Sequence, residues 1–456
     1  MIQNPRNTLT SHRSIGLFAS ICIIGLGLLC ASCQPVLPKA EFHSPEEKQP
    51  RKESLQERPG NAGALPVPEI SWGEPPLCPG EEQDQGQNQQ AVCARLRYRA
   101  DAELRELIWS EAGIVRDTQA LTDVPPGVTS FSPDGSRLVI QTPRGHTAGG
   151  PIYLYDLGTE QLVNLNEQVG LPVYTGVSAL RVAGWHPDGQ QLLLVNEDDE
   201  LTFWLDLESG RYRPLALDID VGQLAPPRRF ALAPDGSGFT FDSYNRDATT
   251  RDTEAAYLYW YDLATDATRL LLTVPSGQGQ LAESAISPDG EQLAYLVHRG
   301  GRAQGRSEEV HLIEFNQGLT EDRTDTAIVD SADSRLLLAG NLGPTRPVWS
   351  PDGEYIALIR RDMDEPLRAA RNQPPPLGDI WIIDTISGET TQLTFTQALE
   401  QPPVWSPDGR YLAFVTADGQ IGMVAVDAPG KIWQLDDTSL SPEIVQIAFA
   451  PSELAK

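Results

Sequence analysis

The most regular chemistry-bearing residues in this sequence are six aspartates. Asp134, Asp188, Asp235, Asp289, Asp352 and Asp408 each sit in a Pro-Asp-Gly tripeptide, at successive spacings of 54, 47, 54, 63 and 56 residues. A ring of carboxylates can hold calcium or exchange protons with a substrate. The local setting explains them without either chemistry. Proline presets φ at the second turn position, Asp tolerates the bridge region there, and Gly supplies a positive φ at the exit. The spacing therefore points to repeated copies of one turn.

Other chemistry is sparse. The six histidines are His12, His43, His146, His186, His298 and His311. None forms His-Glu-x-x-His or another paired-ligand spacing, so no metal site is expected. There is no Gly-x-Ser-x-Gly elbow and no phosphate-binding Gly-rich loop, and no cofactor is implied. The acidic run Asn196-Glu197-Asp198-Asp199-Glu200 lacks the glycine and terminal Glu of a calcium loop. A formal charge of −28 and a pI near 4.5 exclude a phosphate backbone as partner. They also argue against electrostatic docking on anionic lipid.

The elements that position these residues follow from the repeat. It reads Phe131-Ser132-Pro133-Asp134-Gly135, Trp185-His186-Pro187-Asp188-Gly189 and Leu232-Ala233-Pro234-Asp235-Gly236. It continues as Ile286-Ser287-Pro288-Asp289-Gly290, Trp349-Ser350-Pro351-Asp352-Gly353 and Trp405-Ser406-Pro407-Asp408-Gly409, with a degraded copy at Phe449-Ala450-Pro451-Ser452. An apolar strand precedes each turn, and an alternating strand such as Gln292-Leu293-Ala294-Tyr295-Leu296 follows it. A third strand with an apolar-Asp ending comes next, as in Ile380-Trp381-Ile382-Ile383-Asp384. A fourth ends near Leu393. Four strands per repeat of about 50 residues is the blade of a β-propeller. The expected fold is all-β: a single propeller of four-stranded antiparallel blades over residues 91–456.

The repeats resemble those of TolB-like propellers, the WD-repeat-like family of bacterial envelope proteins. Six copies over residues 126 to 436 carry the resemblance. It implies a periplasmic interaction platform. The family's namesake carries a folded α/β domain before its propeller, where this chain has a proline-rich segment. Its blade number is six, whereas this sequence favours seven. Val92 to Arg99 reads as a second strand, Leu107 to Thr122 as a third and fourth, and Ile444 to Phe449 as a first. Together they make a composite blade joining the two ends of the chain; six blades with a decorated closure is the alternative. Some relatives carry a serine peptidase domain after the propeller. This sequence ends at Lys456 with the last expected strand, so the expectation is a binding protein and not an enzyme.

The first 32 residues read as a secretion signal: a basic head with Arg6 and Arg13, then an apolar run from Ile15. Ala31-Ser32-Cys33 resembles a bacterial lipobox, which makes Cys33 the expected lipidation site. An uncleaved signal anchor is the alternative. Either places the chain on the periplasmic or cell-surface side of a bacterial membrane. Residues 33–90 form a Pro/Gln/Glu-rich tether, with ten prolines between Gln34 and Gln90. Cys78 and Cys93 remain as a disulfide pair or as two free thiols.

Loop lengths are the least regular feature. The connections between second and third strands are long and unequal, and carry Arg246, Arg251, Arg299, Arg302, Arg306, Arg368 and Arg371. Arginine suits carboxylate recognition, and loops on a rigid scaffold commonly carry function. These residues are the candidate partner-binding set, for an envelope protein or an acidic glycan. Acids interleave with them, so solvated mixed-charge loops are the plainer reading. The resulting expectation is a membrane-tethered interaction scaffold. The alternatives are a channel enzyme (lyase, lactonase or glycan hydrolase) or a small-ligand or ion sensor. The oligomeric state is left open.

Overall fold

The computed structural model describes residues 92–450 apart from a set of stretches, the longest being 170–179, 246–254, 300–306, 315–333, 362–377 and 436–446. The signal, the tether, Cys33 and Cys78 lie outside the described residues, as does the Cys93 side chain.

The described strands fall into seven four-stranded antiparallel sheets. Six are contiguous in sequence, each running first to fourth strand outward. Their first strands are Val128–Phe131, Leu180–Trp185, Arg228–Leu232, Gln280–Ile286, Val348–Trp349 and Val404–Trp405, which open blades one to six. The seventh sheet takes Val92–Ala100, Glu103–Ser110 and Gly113–Ala120 from one end of the chain and Ile447–Ala450 from the other. Its closing register pairs Arg95 with Ala450 and Tyr98 with Ile447.

Seven hydrophobic clusters join neighbouring blades pairwise, and the last two close the circle. Leu96, Tyr98 and Leu107 of blade seven pack on Tyr411, Met423 and Trp433 of blade six. Leu104 of the same blade packs on Leu138, Ile140 and Tyr155 of blade one. The fold is a seven-bladed β-propeller. Among the described residues, closure leaves each sheet an open edge at its fourth strand, on the rim of the ring.

The repeated turn is built as its residues dictate. In blade five the Ser350 hydroxyl donates to Asp352 Oδ1 at 2.5 Å and accepts from the Tyr355 amide at 2.9 Å. The Glu354 amide donates to the same carboxylate oxygen, and Gly353 turns the chain at φ +76°. Blades one, four and six repeat the pattern at Asp134, Asp289 and Asp408. In blade four the Ser287 hydroxyl, with the Glu291 amide, holds the Asp289 carboxyl below its ordinary value. These aspartates are turn residues, each occupied by its own loop.

A tryptophan three residues before the turn aspartate staples blade to blade in three of the repeats. The indole N–H of Trp185 donates to the Ser130 carbonyl at 3.3 Å, that of Trp349 to Ala285 at 3.0 Å, and that of Trp405 to Val348 at 3.0 Å. Each acceptor is one position earlier in the preceding blade's repeat, so donor and acceptor recur together.

Candidate functional site

First strands end at the tight turns, so their starts lie on the opposite face, with the long loops. Three of these starts break the ladder. Register shifts fall between Val182 and Gly184, between Arg228 and Ala231, and between Leu281 and Ser284. Such bulges re-aim side chains. In blade three the bulge holds Arg229 at φ +50°, in the left-handed region that non-glycine residues rarely adopt.

The bulged arginines gather around a buried carboxylate. Asp242 is 2% exposed and sits on the second strand opposite Arg228. Its Oδ2 accepts from Arg228 Nε at 2.9 Å and from Arg229 Nη1 at 3.2 Å. Arg229 Nη1 also donates to the Leu281 carbonyl of the next blade. The Arg228 guanidinium lies 4.1 Å over the Tyr244 ring. Asp242 Oδ1 has no protein partner among the described residues. It borders a cavity of about 10 Å³ lined by Arg229, Leu281, Glu283 and Ser284, the space of about one water.

Burial pushes the Asp242 carboxyl up to about 6, against the pull of Arg229 and Arg228. Burial also raises Glu283, here against Arg229, Arg346, His298 and Arg181. Those four groups come from different parts of the ring. Arg181 starts the first strand of blade two, Arg346 precedes that of blade five, and His298 ends the second strand of blade four. The result is a collar in which Arg228 and Arg229 bond Asp242 and the charges of Arg229, Arg346 and Arg181 act on Glu283, while burial makes both carboxylates harder to ionise. In a chain of formal charge −28 this is a local reversal of sign. It suits an anion.

The collar was not singled out from the sequence, yet a signal was there. Six residues before the repeat aspartates stand Val128, Val182, Arg229, Glu283, Arg346 and Pro402. Only blades three to five carry charge at that position. Of the loop arginines expected to bind a partner, Arg299 alone is described. Its Nε donates to Glu309 at 2.8 Å and its Nη1 to the Gln278 carbonyl. Arg246, Arg251, Arg302, Arg306, Arg368 and Arg371 lie outside the described residues.

A larger cavity of about 440 Å³ opens on the tight-turn face between blades two and three. His186, Trp204, Arg211 and Tyr212 line it, and His186 pairs with Asp188 of its own turn at 2.9 Å. Its width and the turn-bound histidine make it a weaker candidate than the collar, where buried charges converge.

No family model matches the chain. The uncharacterized peptidase YuxL of Bacillus subtilis (strain 168) is 26% identical over 210 residues, which is 40% of this chain and 28% of that protein. The chain therefore spans under a third of this relative's length. The crystal structure of the tricorn protease is similar at TM-score 0.49 and 12% identity, covering 81% of this chain and 37% of that one. TolB from Acinetobacter baumannii is similar at TM-score 0.39 and 16% identity, covering 78% and 82%. The match to a protein named as a peptidase corrects the expectation that this chain is not an enzyme. That expectation rested on where the sequence ends and on missing motifs, and neither bears on chemistry assembled from separate strands.

Proposed function

We propose that the propeller captures polypeptide by its carboxylates, holding an acidic segment or a chain end at the arginine collar. The half-buried Glu283 carboxyl, under the combined charges of Arg229, Arg346 and Arg181 and next to the Arg229–Asp242 ion pair, carries this reading. A guanidinium exchanges a protein carboxylate for a substrate carboxylate with little loss when burial already disfavours the charge on that protein carboxylate. Polypeptide is favoured over acidic glycan because the curated relative is named as a peptidase. In this reading the protein works in peptide handling outside the cytoplasm, attached to the membrane through lipid on Cys33.

Fluorescence anisotropy of a labelled Glu-rich peptide, with full-length protein, tests it. Arg346 is exposed, so Arg346→Gln leaves packing intact. It is expected to weaken binding about 10- to 100-fold, the effect of one charged hydrogen bond. Unchanged affinity in Arg346→Gln and in Arg181→Gln would remove the collar from consideration.

A further inference from the structure

A second group of reactive side chains lies apart from the collar, on the flank of blade four. Glu309 and His311 stand two residues apart on the third strand, Ser307–Glu314, and so share a face. Glu309 Oε2 lies 2.9 Å from His311 Nε2. The other ring nitrogen, His311 Nδ1, lies 3.4 Å from Ser334 Oγ, just before the fourth strand, Arg335–Gly340. Carboxylate, imidazole and hydroxyl thus run in one line.

The surroundings hold that line in place. Tyr295 is paired across the strands with His311, and the two rings stack at 5.2 Å and 15°. Arg299 Nε binds the same Glu309 oxygen at 2.8 Å, anchoring the carboxylate from the other side. His311 is 9% exposed, yet it opens with Ser334 into a cavity of about 190 Å³. Its opposite wall is Leu272, Thr273 and Val274 of the outermost strand of blade three, Ala267–Val274. In its own sheet that strand pairs only with Ala256–Asp262, so the groove runs beside a strand edge that an extended peptide can pair with.

We propose that Ser334, His311 and Glu309 form an acyl-transfer site for ester or amide bonds of an extended peptide-like substrate. Ser334 Oγ attacks the acyl carbonyl while His311 Nδ1 takes the hydroxyl proton. The tetrahedral adduct collapses, re-forming the carbonyl as the bond to the leaving alcohol or amine breaks, and His311 returns that proton to the leaving group. Water then attacks the Ser334 ester by the same route, releasing a carboxylic acid and restoring the hydroxyl. Glu309 touches no reacting atom; it is a positioning residue that orients the ring and balances the imidazolium charge. Burial pushes the Tyr295 phenol up although the Ser334 hydroxyl hydrogen-bonds to it, so a neutral hydroxyl borders the nucleophile. The 3.4 Å gap between base and nucleophile is usual before substrate tightens it.

The test is labelling of the full-length protein with a fluorophosphonate probe, followed by peptide mapping. The expected result is an adduct on Ser334. Ser334→Ala is expected to abolish the label while keeping the wild-type melting temperature. Glu309→Gln is expected to slow labelling by about 10²- to 10⁴-fold, the usual scale of base catalysis. It should also move the acid limb of the pH profile to lower pH, because the protonated ring loses its counter-charge; a purely structural role would leave the profile unmoved. A folded wild type that takes no label, or an adduct mapped to another residue, overturns the proposal. Because the adduct is mapped on the wild type, this outcome does not depend on whether any variant folds. The collar can fail its peptide-binding test without affecting this one.

Discussion

Replacing Asp242 with Asn is expected to stabilise the protein at pH 8, although it removes two ion pairs. The Asp242 carboxyl is raised by burial from 3.8 to about 6, so the folded protein binds that proton more tightly than the unfolded chain does. Its contribution to stability is full below pH 3.8 and is lost as the pH rises through about 6. At 1.36 kcal/mol per unit, the ionised group costs about 3 kcal/mol at pH 8 relative to its neutral form. The side chain is only 3% exposed, so little screening reduces that figure. Asn copies the neutral acid, keeps one acceptor for Arg228 and Arg229, and turns its amide toward the water-sized cavity. Buried ion pairs replaced by neutral groups are often neutral or stabilising. The entropy of unfolding about 360 residues converts 3 kcal/mol into a rise of about 4 °C. The assay is thermal and urea unfolding of both proteins at pH 4, 6 and 8. The two are expected to match at pH 4 and diverge through pH 6, Asn above Asp. An Asn variant less stable at pH 8, by an amount independent of pH, would refute the reasoning. The two arginines would then outweigh the cost of burial.

Three further outcomes are expected from the fold, and one from the proposed lipidation of Cys33. Trp405→Phe removes the indole donor to the Val348 carbonyl and should cost about 1–2 kcal/mol, read as a shift in urea midpoint. Gly238→Ala should cost about 3 kcal/mol or prevent folding, because its Cβ would collide with the Tyr261 carbonyl oxygen and fall 2.5 Å from the Trp260 ring. Gly388→Ala meets nothing within 4 Å and should cost about 1 kcal/mol through its positive φ alone, which separates steric from conformational cost in the same melting assay. If Cys33 carries the lipid, Cys33→Ser should move the protein from the membrane to the soluble fraction of lysed cells, a shift that an uncleaved anchor would not show.

Much of this propeller is written in the chain because its information is local. A Ser-Pro-Asp-Gly turn is satisfied within six residues, as the bonds of Ser350, Asp352 and Tyr355 show, so its recurrence announces blade after blade. The composite seventh blade was legible for the same reason: strand patterns at both ends lacked partners nearby. That its strands pair, and that Leu104 and Leu107 pack on two different neighbours, emerged only in the closed ring. The functional groups were less visible. Arg229, Glu283 and Arg346 share one repeat position, but charge at that position has meaning only once the ring turns three first strands toward a common centre. Ser334 and His311 are 23 residues apart, with no motif between them. Strand pairing and the return of the chain from Glu314 to Arg335 bring them together. Local hydrogen bonding determined the blades from sequence alone. Which side chains meet was decided by the tertiary structure, because contacts between blades depend on closure and on bulges that no short segment encodes.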